Sequence, residues 1–219
     1  MTRTALIAGA TGLVGSALLR RLASDRAWSE VRVIGRRPPP LEAGHVRFVS
    51  SDFSNLGELA TDLRADDVFC CLGTTIRTAG SRDAFERVDY HYVVDLARAA
   101  EAAGAKRFLV VSAVGASASS PAFYSRVKGR MESAVMALPF EAVHVVQPSL
   151  LLGDRKEHRA GEALAQKVSP LLSLLMRGPL TKYRPVRDTE VAGALVELAK
   201  SGARGAHRHV LPLGSQATA

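Results

Sequence analysis

The chain has 219 residues, of which 47% are hydrophobic, 23% charged and 5% aromatic, a composition typical of one soluble globular domain. This length can bury a core without disulfides, and the adjacent pair Cys70 and Cys71 excludes a disulfide framework. The formal net charge is +8, but arginines are scattered along the chain and accompany no nucleic-acid-binding motif. No nucleic-acid partner is therefore predicted.

Short apolar runs typical of strands alternate with helical patterns from the first residues onward. Strands are predicted at residues 4–8, 31–34, 46–49, 68–72, 108–111 and 142–146, and helices at 13–23, 56–63, 83–103 and 122–138. The strands are apolar on both faces, as strands of a buried parallel sheet are. The alternation predicts an α/β fold with a doubly wound parallel sheet, the Rossmann fold.

After Pro148 the alternation becomes less regular. Helices are predicted at residues 161–176 and 189–200, and a last strand at 209–211. No linker separates this part from the rest, so residues 1–219 are predicted to form a single domain. Residues 149–213 are expected to form a small helical cap on the substrate side of the sheet, where ligands bind in such folds.

A glycine-rich turn joins the first predicted strand to the first helix, with Gly9, Gly12 and Gly15 in GxxGxxG spacing. The first glycine allows a sharp turn, the second lets the backbone approach a pyrophosphate, and the third lets the helix pack close to the sheet. The helix N-terminus offers N–H groups to the phosphates. The turn therefore predicts a dinucleotide site with contacts from Gly9, Thr11, Gly12, Leu13, Val14 and Gly15.

The second predicted strand is followed by Arg36 and Arg37, where NAD-specific sites place an acidic residue. A guanidinium binds a ribose 2′-phosphate, which an acid would repel. This predicts NADP(H) as the cofactor, with NAD(H) the weaker alternative; the competing interpretation is that both arginines are solvated loop residues. Asp52 and Phe53 are predicted to flank the adenine, the alternative being a helix-capping Asp and a core Phe.

Tyr124 and Lys128 lie four residues apart on a predicted helix, so both side chains can reach one ligand. A nearby ammonium favours the phenolate, which lets the phenol exchange a proton with a substrate oxygen near neutral pH. Ser112, at the end of the fifth predicted strand, can hydrogen-bond the same oxygen. These three residues are the predicted catalytic set.

These segments together resemble the short-chain dehydrogenase/reductase superfamily. The chain is similar to its atypical branch, and in particular to the Tat-interacting-protein-type NADPH-binding oxidoreductases. The resemblance covers about residues 4 to 200 and is carried by residues 9–15, 69–75, 87–90, 124–129, 148–149 and 153–155.

The resemblance implies that Tyr124 is the general acid in carbonyl reduction, that Lys128 binds the nicotinamide ribose and tunes Tyr124, and that Ser112 orients the carbonyl. It also implies cofactor contacts from two further groups, Leu72, Gly73 and Thr74 beside the ribose and phosphates, and Pro148, Ser149 and Leu150 near the nicotinamide. The chain departs from the family pattern at two positions. Asp89 stands where many relatives have Asn, and Gln147 where relatives often have Arg.

The leading functional hypothesis is an NADPH-dependent oxidoreductase that reduces a small carbonyl-type substrate. The alternatives are an NADPH-binding redox sensor or regulatory scaffold with little or no turnover, and a small epimerase or lyase. The six histidines show no metal-ligand spacing, so no metal is predicted. Because the sequence shows neither a signal peptide nor a membrane span, a cytoplasmic location is expected. A homo-oligomer is left open.

Overall fold

The computed structural model describes residues 2–41, 43–152 and 184–212 of the chain. Its strands are β1 (Arg3–Ala8), β2 (Trp28–Gly35), β3 (Val46–Ser50), β4 (Asp67–Cys70), β5 (Arg107–Val111), β6 (Ala142–Gln147), β7 (Leu151–Leu152), β8 (Val186–Arg187) and β9 (Gly205–Val210). Its helices are α1 (Leu13–Ser24), α2 (Ala60–Leu63), α3 (Ile76–Ala79), α4 (Arg82–Glu86), α5 (Tyr92–Ala102), α6 (Phe123–Met136) and α7 (Asp188–Lys200), with a 3₁₀ turn at Leu56–Leu59 and a π-helical turn at Arg87–His91.

Seven strands form one parallel sheet in the order β3-β2-β1-β4-β5-β6-β9. The chain starts in the middle of the sheet, builds outward to β3, and then crosses to the other side of β1 to form β4. The strand order therefore reverses between β1 and β4. In open α/β sheets, ligands bind in the crevice outside the carboxyl ends of the strands at this point.

Helices cover both faces of the sheet, and each face has its own apolar core. On one face α1 and α7 pack together and bury side chains such as Leu18 and Leu195. On the other face α5 and α6 bury Leu96 and Met131 against the strands. The predicted doubly wound parallel sheet is confirmed.

The described part of the C-terminal region belongs to this layered structure. Helix α7 packs on α1, and β9 pairs with β6 as the seventh strand of the sheet. The predicted strand at 209–211 therefore begins earlier, at Gly205. The sequence pattern missed its start because β9 is a largely exposed edge strand with a polar composition. The predicted helix at 161–176 lies outside the described residues.

The segment predicted as a long helix at 83–103 is helical from Arg82 to Ala102, but it contains a π-helical turn that was not predicted. Helix α4 leads through the π-helical turn Arg87–His91 into α5. A π turn has a wider hydrogen-bond pattern than an α-helix and changes the direction in which the following side chains point. Asp89 lies in the middle of this turn and is fully buried.

Candidate cofactor and active site

The glycine turn after β1 has the geometry that the sequence predicted. Gly9 has a φ of +82°, and a Cβ there would lie 2.5 Å from the Cys71 carbonyl oxygen. A Cβ on Gly15 would lie 2.1 Å from the Gly9 carbonyl oxygen, so α1 can approach β1 only because this residue is glycine. Gly12 caps α1, and the first turn of that helix contains no acidic residue. The positive end of the helix dipole therefore faces the crevice unopposed.

A cleft runs from the glycine turn across the end of β2. Arg36 and Arg37 are exposed and line it together with the backbone of the turn. The structure thus brings both predicted arginines to the predicted phosphate loop. The full lining is Gly9, Ala10, Thr11, Val33, Ile34, Gly35, Arg36, Arg37, Phe53 and Leu72.

Phe53 and Asp52, the predicted adenine neighbours, have different environments. Phe53 lines the cleft, stacks on Tyr92 with ring centroids 5.5 Å apart, and has a φ of +68°, which is unusual for a bulky residue. The exposed Asp52 carboxylate instead accepts hydrogen bonds from the backbone N–H and hydroxyl of Ser54, which lower the pKa of Asp52. The aromatic ring is thus at the cleft, whereas the carboxylate caps the adjacent turn.

A buried ion pair lies beneath the loop that follows β4. Lys128 Nζ is 2.8 Å from Asp89 Oδ1, and Asp89 Oδ2 accepts a hydrogen bond from Thr74 N at 2.8 Å. Burial opposes the charge on Lys128, but the combined effect of Asp89, Tyr124 and Cys70 outweighs it and raises the pKa of Lys128 above its usual value. A Cβ on Gly73 would lie 3.4 Å from Asp89 Oδ1 and 3.8 Å from Lys128 Nζ. The predicted cofactor loop therefore rests directly on this pair.

Tyr124 is positioned by the aromatic packing between α4 and α6. Its ring lies 5.5 Å from the ring of Phe85, which is fully buried, while Tyr124 itself is 39% exposed. The helix places Tyr124 one turn before Lys128 on the same face. The phenol is thus anchored on one side and accessible to a ligand and to water.

Ser112 makes a contact that the sequence analysis did not anticipate. Its Oγ donates a hydrogen bond of 2.5 Å to Glu132 Oε1, and Glu132 lies one turn beyond Lys128 on α6. Glu132 is almost completely buried and also binds Gln147 and Arg208. The predicted serine is therefore attached to the face of α6 that carries Tyr124 and Lys128.

The remaining predicted contacts follow β6. Pro148 is buried and its carbonyl accepts a hydrogen bond from Val114 N at 3.0 Å. Ser149 donates to the Arg184 carbonyl oxygen, and Leu150 is exposed. This places all three at the carboxyl edge of the sheet, beyond Gln147.

Of the two cysteines, Cys71 packs against the glycine turn through its backbone, and Cys70 is buried. Cys71 N donates to the Ala8 carbonyl, and the Cys71 carbonyl occupies the space beside Gly9. Burial raises the pKa of Cys70 to about 12, so this thiol stays protonated and unreactive at neutral pH.

Glu132 and Arg208 were not predicted from the sequence, and Asp89 and Gln147 stood out only as departures from the family pattern. One signal was available for Glu132: it repeats the four-residue spacing from Tyr124 to Lys128 along α6. The contribution of Arg208 depends on the pairing of β9 with β6, which no clear pattern in the residues of β9 predicts.

Comparisons with known proteins identify the family of this chain. Residues 9–151 match the model of a family described as NAD(P)H-binding. The chain is 42% identical to the protein HTATIP2 of Rattus norvegicus over 169 residues, which is 75% of this chain and 69% of the rat protein. It is 34% identical to the protein FMP52-1, mitochondrial, of Scheffersomyces stipitis over 202 residues, 90% of this chain and 88% of the yeast protein.

Among solved structures, MoeE5 in complex with UDP-glucose and NAD superposes with a TM-score of 0.72 at 20% identity, covering 94% of this chain and 75% of that chain. The Bordetella bronchiseptica enzyme WbmH in complex with NAD+ gives a TM-score of 0.70 at 14% identity, covering 96% and 76%. These similarities support the Rossmann-type fold.

The chain is a Rossmann-type dinucleotide-binding protein and belongs to the NAD(P)H-binding family. Within that class it is a homologue of HTATIP2 and FMP52, which confirms the resemblance drawn from the sequence motifs.

The names of the fungal relatives contradict the expected cytoplasmic location, so this prediction was wrong. The relatives from Scheffersomyces stipitis, Meyerozyma guilliermondii and Lodderomyces elongisporus are named as mitochondrial proteins. The expectation rested on the lack of a recognisable targeting or membrane segment, and such a lack does not identify a compartment. Within the described ranges, no helix has the length and apolar character needed to span a bilayer.

Proposed function

We propose that this protein is an NADPH-dependent oxidoreductase that reduces a small carbonyl substrate, with Tyr124 as the proton donor. The observation that carries the proposal is the position of Lys128. Its ammonium is buried against Asp89 beneath Gly73, and it lies one helical turn from the exposed phenol of Tyr124. This arrangement joins the cofactor loop to a group that can transfer a proton.

The residues around the crevice fit a dinucleotide. Gly9 and Gly15 leave a cradle that any Cβ would fill, and the start of α1 presents N–H groups there. Arg36 and Arg37 line the same cleft and suit a ribose 2′-phosphate, which supports NADPH over NADH. Phe53 provides an aromatic surface at the cleft for the adenine.

In the proposed reaction, each residue of the site has one role. The bound nicotinamide supplies the hydride. Lys128, held by Asp89, binds the nicotinamide ribose and stabilises the phenolate that remains after Tyr124 has donated its proton to the carbonyl oxygen. Because Tyr124 is exposed, water can return the proton to the phenolate. Ser112 lies beside the substrate and contributes to its orientation.

The direct test combines cofactor binding with turnover. The purified protein is titrated with NADPH and with NADH, followed by cofactor fluorescence, and NADPH oxidation is measured with a panel of small ketones and aldehydes. Tight NADPH binding and turnover that Tyr124→Phe reduces at least 100-fold would support the proposal. Tyr92→Phe, a phenol-to-phenyl change that keeps the ring stacked on Phe53, is the matched control for fold and concentration.

Two other results would point elsewhere. Undiminished turnover in Tyr124→Phe would remove the proton-donor role. Tight NADPH binding with no turnover on any member of the panel would favour the redox-sensor or scaffold hypothesis instead.

A further inference from the structure

A buried carboxylate organises the region next to the proposed catalytic pair. Glu132 on α6 is 1% exposed and accepts three hydrogen bonds. The donors are Ser112 Oγ at 2.5 Å, Gln147 Nε2 at 2.8 Å and Arg208 Nε at 2.8 Å. They come from the ends of β5 and β6 and from β9, so three neighbouring strands converge on one side chain.

The donor set determines the direction of the Ser112 hydrogen bond. A carboxylate can only accept hydrogen bonds, and the second oxygen of Glu132, Oε2, is paired with Arg208 Nε at 2.8 Å. Ser112 therefore donates its single hydroxyl proton in the hydrogen bond to Glu132. What Ser112 can still offer to a ligand is its oxygen lone pairs.

This direction conflicts with the usual task of a serine that orients a carbonyl, because a carbonyl oxygen needs a donor. With Ser112 acting as an acceptor, the carbonyl oxygen has Tyr124 as its donor. A hydroxyl group on the substrate, next to the carbonyl, would donate a hydrogen bond to the remaining lone pairs of Ser112 Oγ.

We infer that Ser112 recognises a substrate hydroxyl, that Glu132 is the positioning residue which sets this preference, and that the substrates are small hydroxy-ketones. The inference relies on the proposed function for the reaction, but recognition of the hydroxyl does not require turnover. In the reaction, the carbonyl carbon takes the hydride that NADPH supplies, leaving NADP+, and the carbonyl oxygen takes the proton of Tyr124. The neighbouring hydroxyl is unchanged.

The test uses two ketones that differ only by a hydroxyl-to-methyl exchange, 1-hydroxy-2-butanone and 3-pentanone. Their affinities for the protein saturated with NADP+, which cannot reduce them, are measured by ligand-observed NMR. One good hydrogen bond predicts that the hydroxy-ketone binds about tenfold more tightly. Ser112→Ala should reduce this ratio to about one, whereas Ser24→Ala, at the far end of α1, should leave it unchanged.

Glu132→Gln gives the sharper result. Its amide can donate to Ser112 Oγ and free the seryl proton, so the preference for the hydroxy-ketone should fall several-fold or reverse. A purely structural role for Glu132 would weaken both ligands equally and leave their ratio unchanged. Glu197→Gln, on the exposed surface of α7, is the matched control. If Glu132→Gln does not fold, the Ser112→Ala ratio decides the question.

Three outcomes would overturn the inference: equal binding of the two ketones to the wild type, a preference that persists in Ser112→Ala, or binding of neither ketone. The proposed function fails separately. A hydroxyl preference in binding without oxidation of NADPH would refute the reductase activity alone, and equal reduction of both ketones would refute only the hydroxyl recognition.

Discussion

Lys128 and Asp89 form an ion pair with 2.8 Å between Nζ and Oδ1, and their side chains are only 5% and 1% exposed. Asp89 also binds the backbone of Thr74, so one carboxylate holds both the ammonium and the loop proposed to contact the cofactor. The position of Lys128 and the shape of this loop are therefore coupled.

Removal of the Asp89 carboxylate should destabilise the protein. Asp89→Ala leaves a buried ammonium without its partner, so the free energy of unfolding should fall by about 3–5 kcal/mol, measured by urea denaturation. NADPH affinity should fall at the same time, because the loop loses its anchor. Asp95→Asn is the control, since its pair with Arg98 is exposed with a 3.9 Å separation and should contribute under about 0.5 kcal/mol. Equal effects of the two substitutions would contradict this account.

A methyl group on the glycine turn should abolish cofactor binding. In Gly15→Ala the new Cβ would lie 2.1 Å from the Gly9 carbonyl oxygen, so α1 must move away from the loop. We expect at least a 100-fold loss of NADPH affinity in a fluorescence titration, with a clear decrease in the thermal unfolding midpoint. Gly44→Ala has open space around the new methyl and should bind NADPH as the wild type does.

Arg36 should determine the cofactor preference. Arg36→Ala removes a guanidinium from the cleft, so NADPH affinity should fall by about 10- to 100-fold, as for loss of a charge-assisted contact. NADH affinity should change less than about twofold, and rising salt should weaken NADPH binding more in the wild type than in the variant. Arg98→Ala, on the exposed surface of α5, provides the comparison. An unchanged NADPH-to-NADH ratio would show that Arg36 is a solvated loop residue.

His144 should make the stability of the fold dependent on pH. Burial, together with the neighbouring His209 and His207 on β9 and Arg107 on β5, lowers the pKa of His144 to about 4. The unfolded chain binds a proton on this residue at about pH 6.5, before the folded protein does. The stability contributed by the neutral ring is therefore complete above pH 6.5 and is lost as the pH falls towards 4, by roughly 3 kcal/mol in total.

The measurement is urea denaturation at several pH values between 7 and 4. His144→Phe keeps an aromatic ring that cannot be protonated, so its unfolding free energy should decrease less steeply over this range than that of the wild type. His45→Phe, in the loop before β3, should follow the wild type. Parallel curves for wild type and His144→Phe would exclude His144 as the origin of the effect.

The sequence predicted the layered sheet and the glycine turn because both depend on local patterns. Apolar runs such as β6 indicate a strand that is buried on both faces of the sheet. The spacing of Gly9, Gly12 and Gly15 indicates a close approach of backbone segments. The Tyr124–Lys128 pair also follows from helical spacing, but its environment does not. The Lys128–Asp89 contact depends on a π turn, which has no simple sequence signature.

The surroundings of Ser112 also depend on packing between distant parts of the chain. Ser112 was predicted to hydrogen-bond a substrate oxygen, and nothing local to it indicates that Glu132 accepts its proton. That contact arises only when β5 and α6 are packed together, and Arg208 joins it only because β9 pairs with β6. Residues brought together from distant parts of the chain define the polarity of the site.

The π-helical turn at Arg87–His91 also limits how this chain can vary in length. It sets the spacing between Phe85, which packs against Tyr124, and Asp89, which pairs with Lys128. Deletion of one residue between them would convert this segment to a regular α-helix, with about 100° between successive residues at 3.6 residues per turn, and Asp89 would lose the direction that the wider π turn gives it. Asp89 would then leave Lys128, so a single-codon deletion here would remove the buried partner of the ammonium while the sheet remained intact.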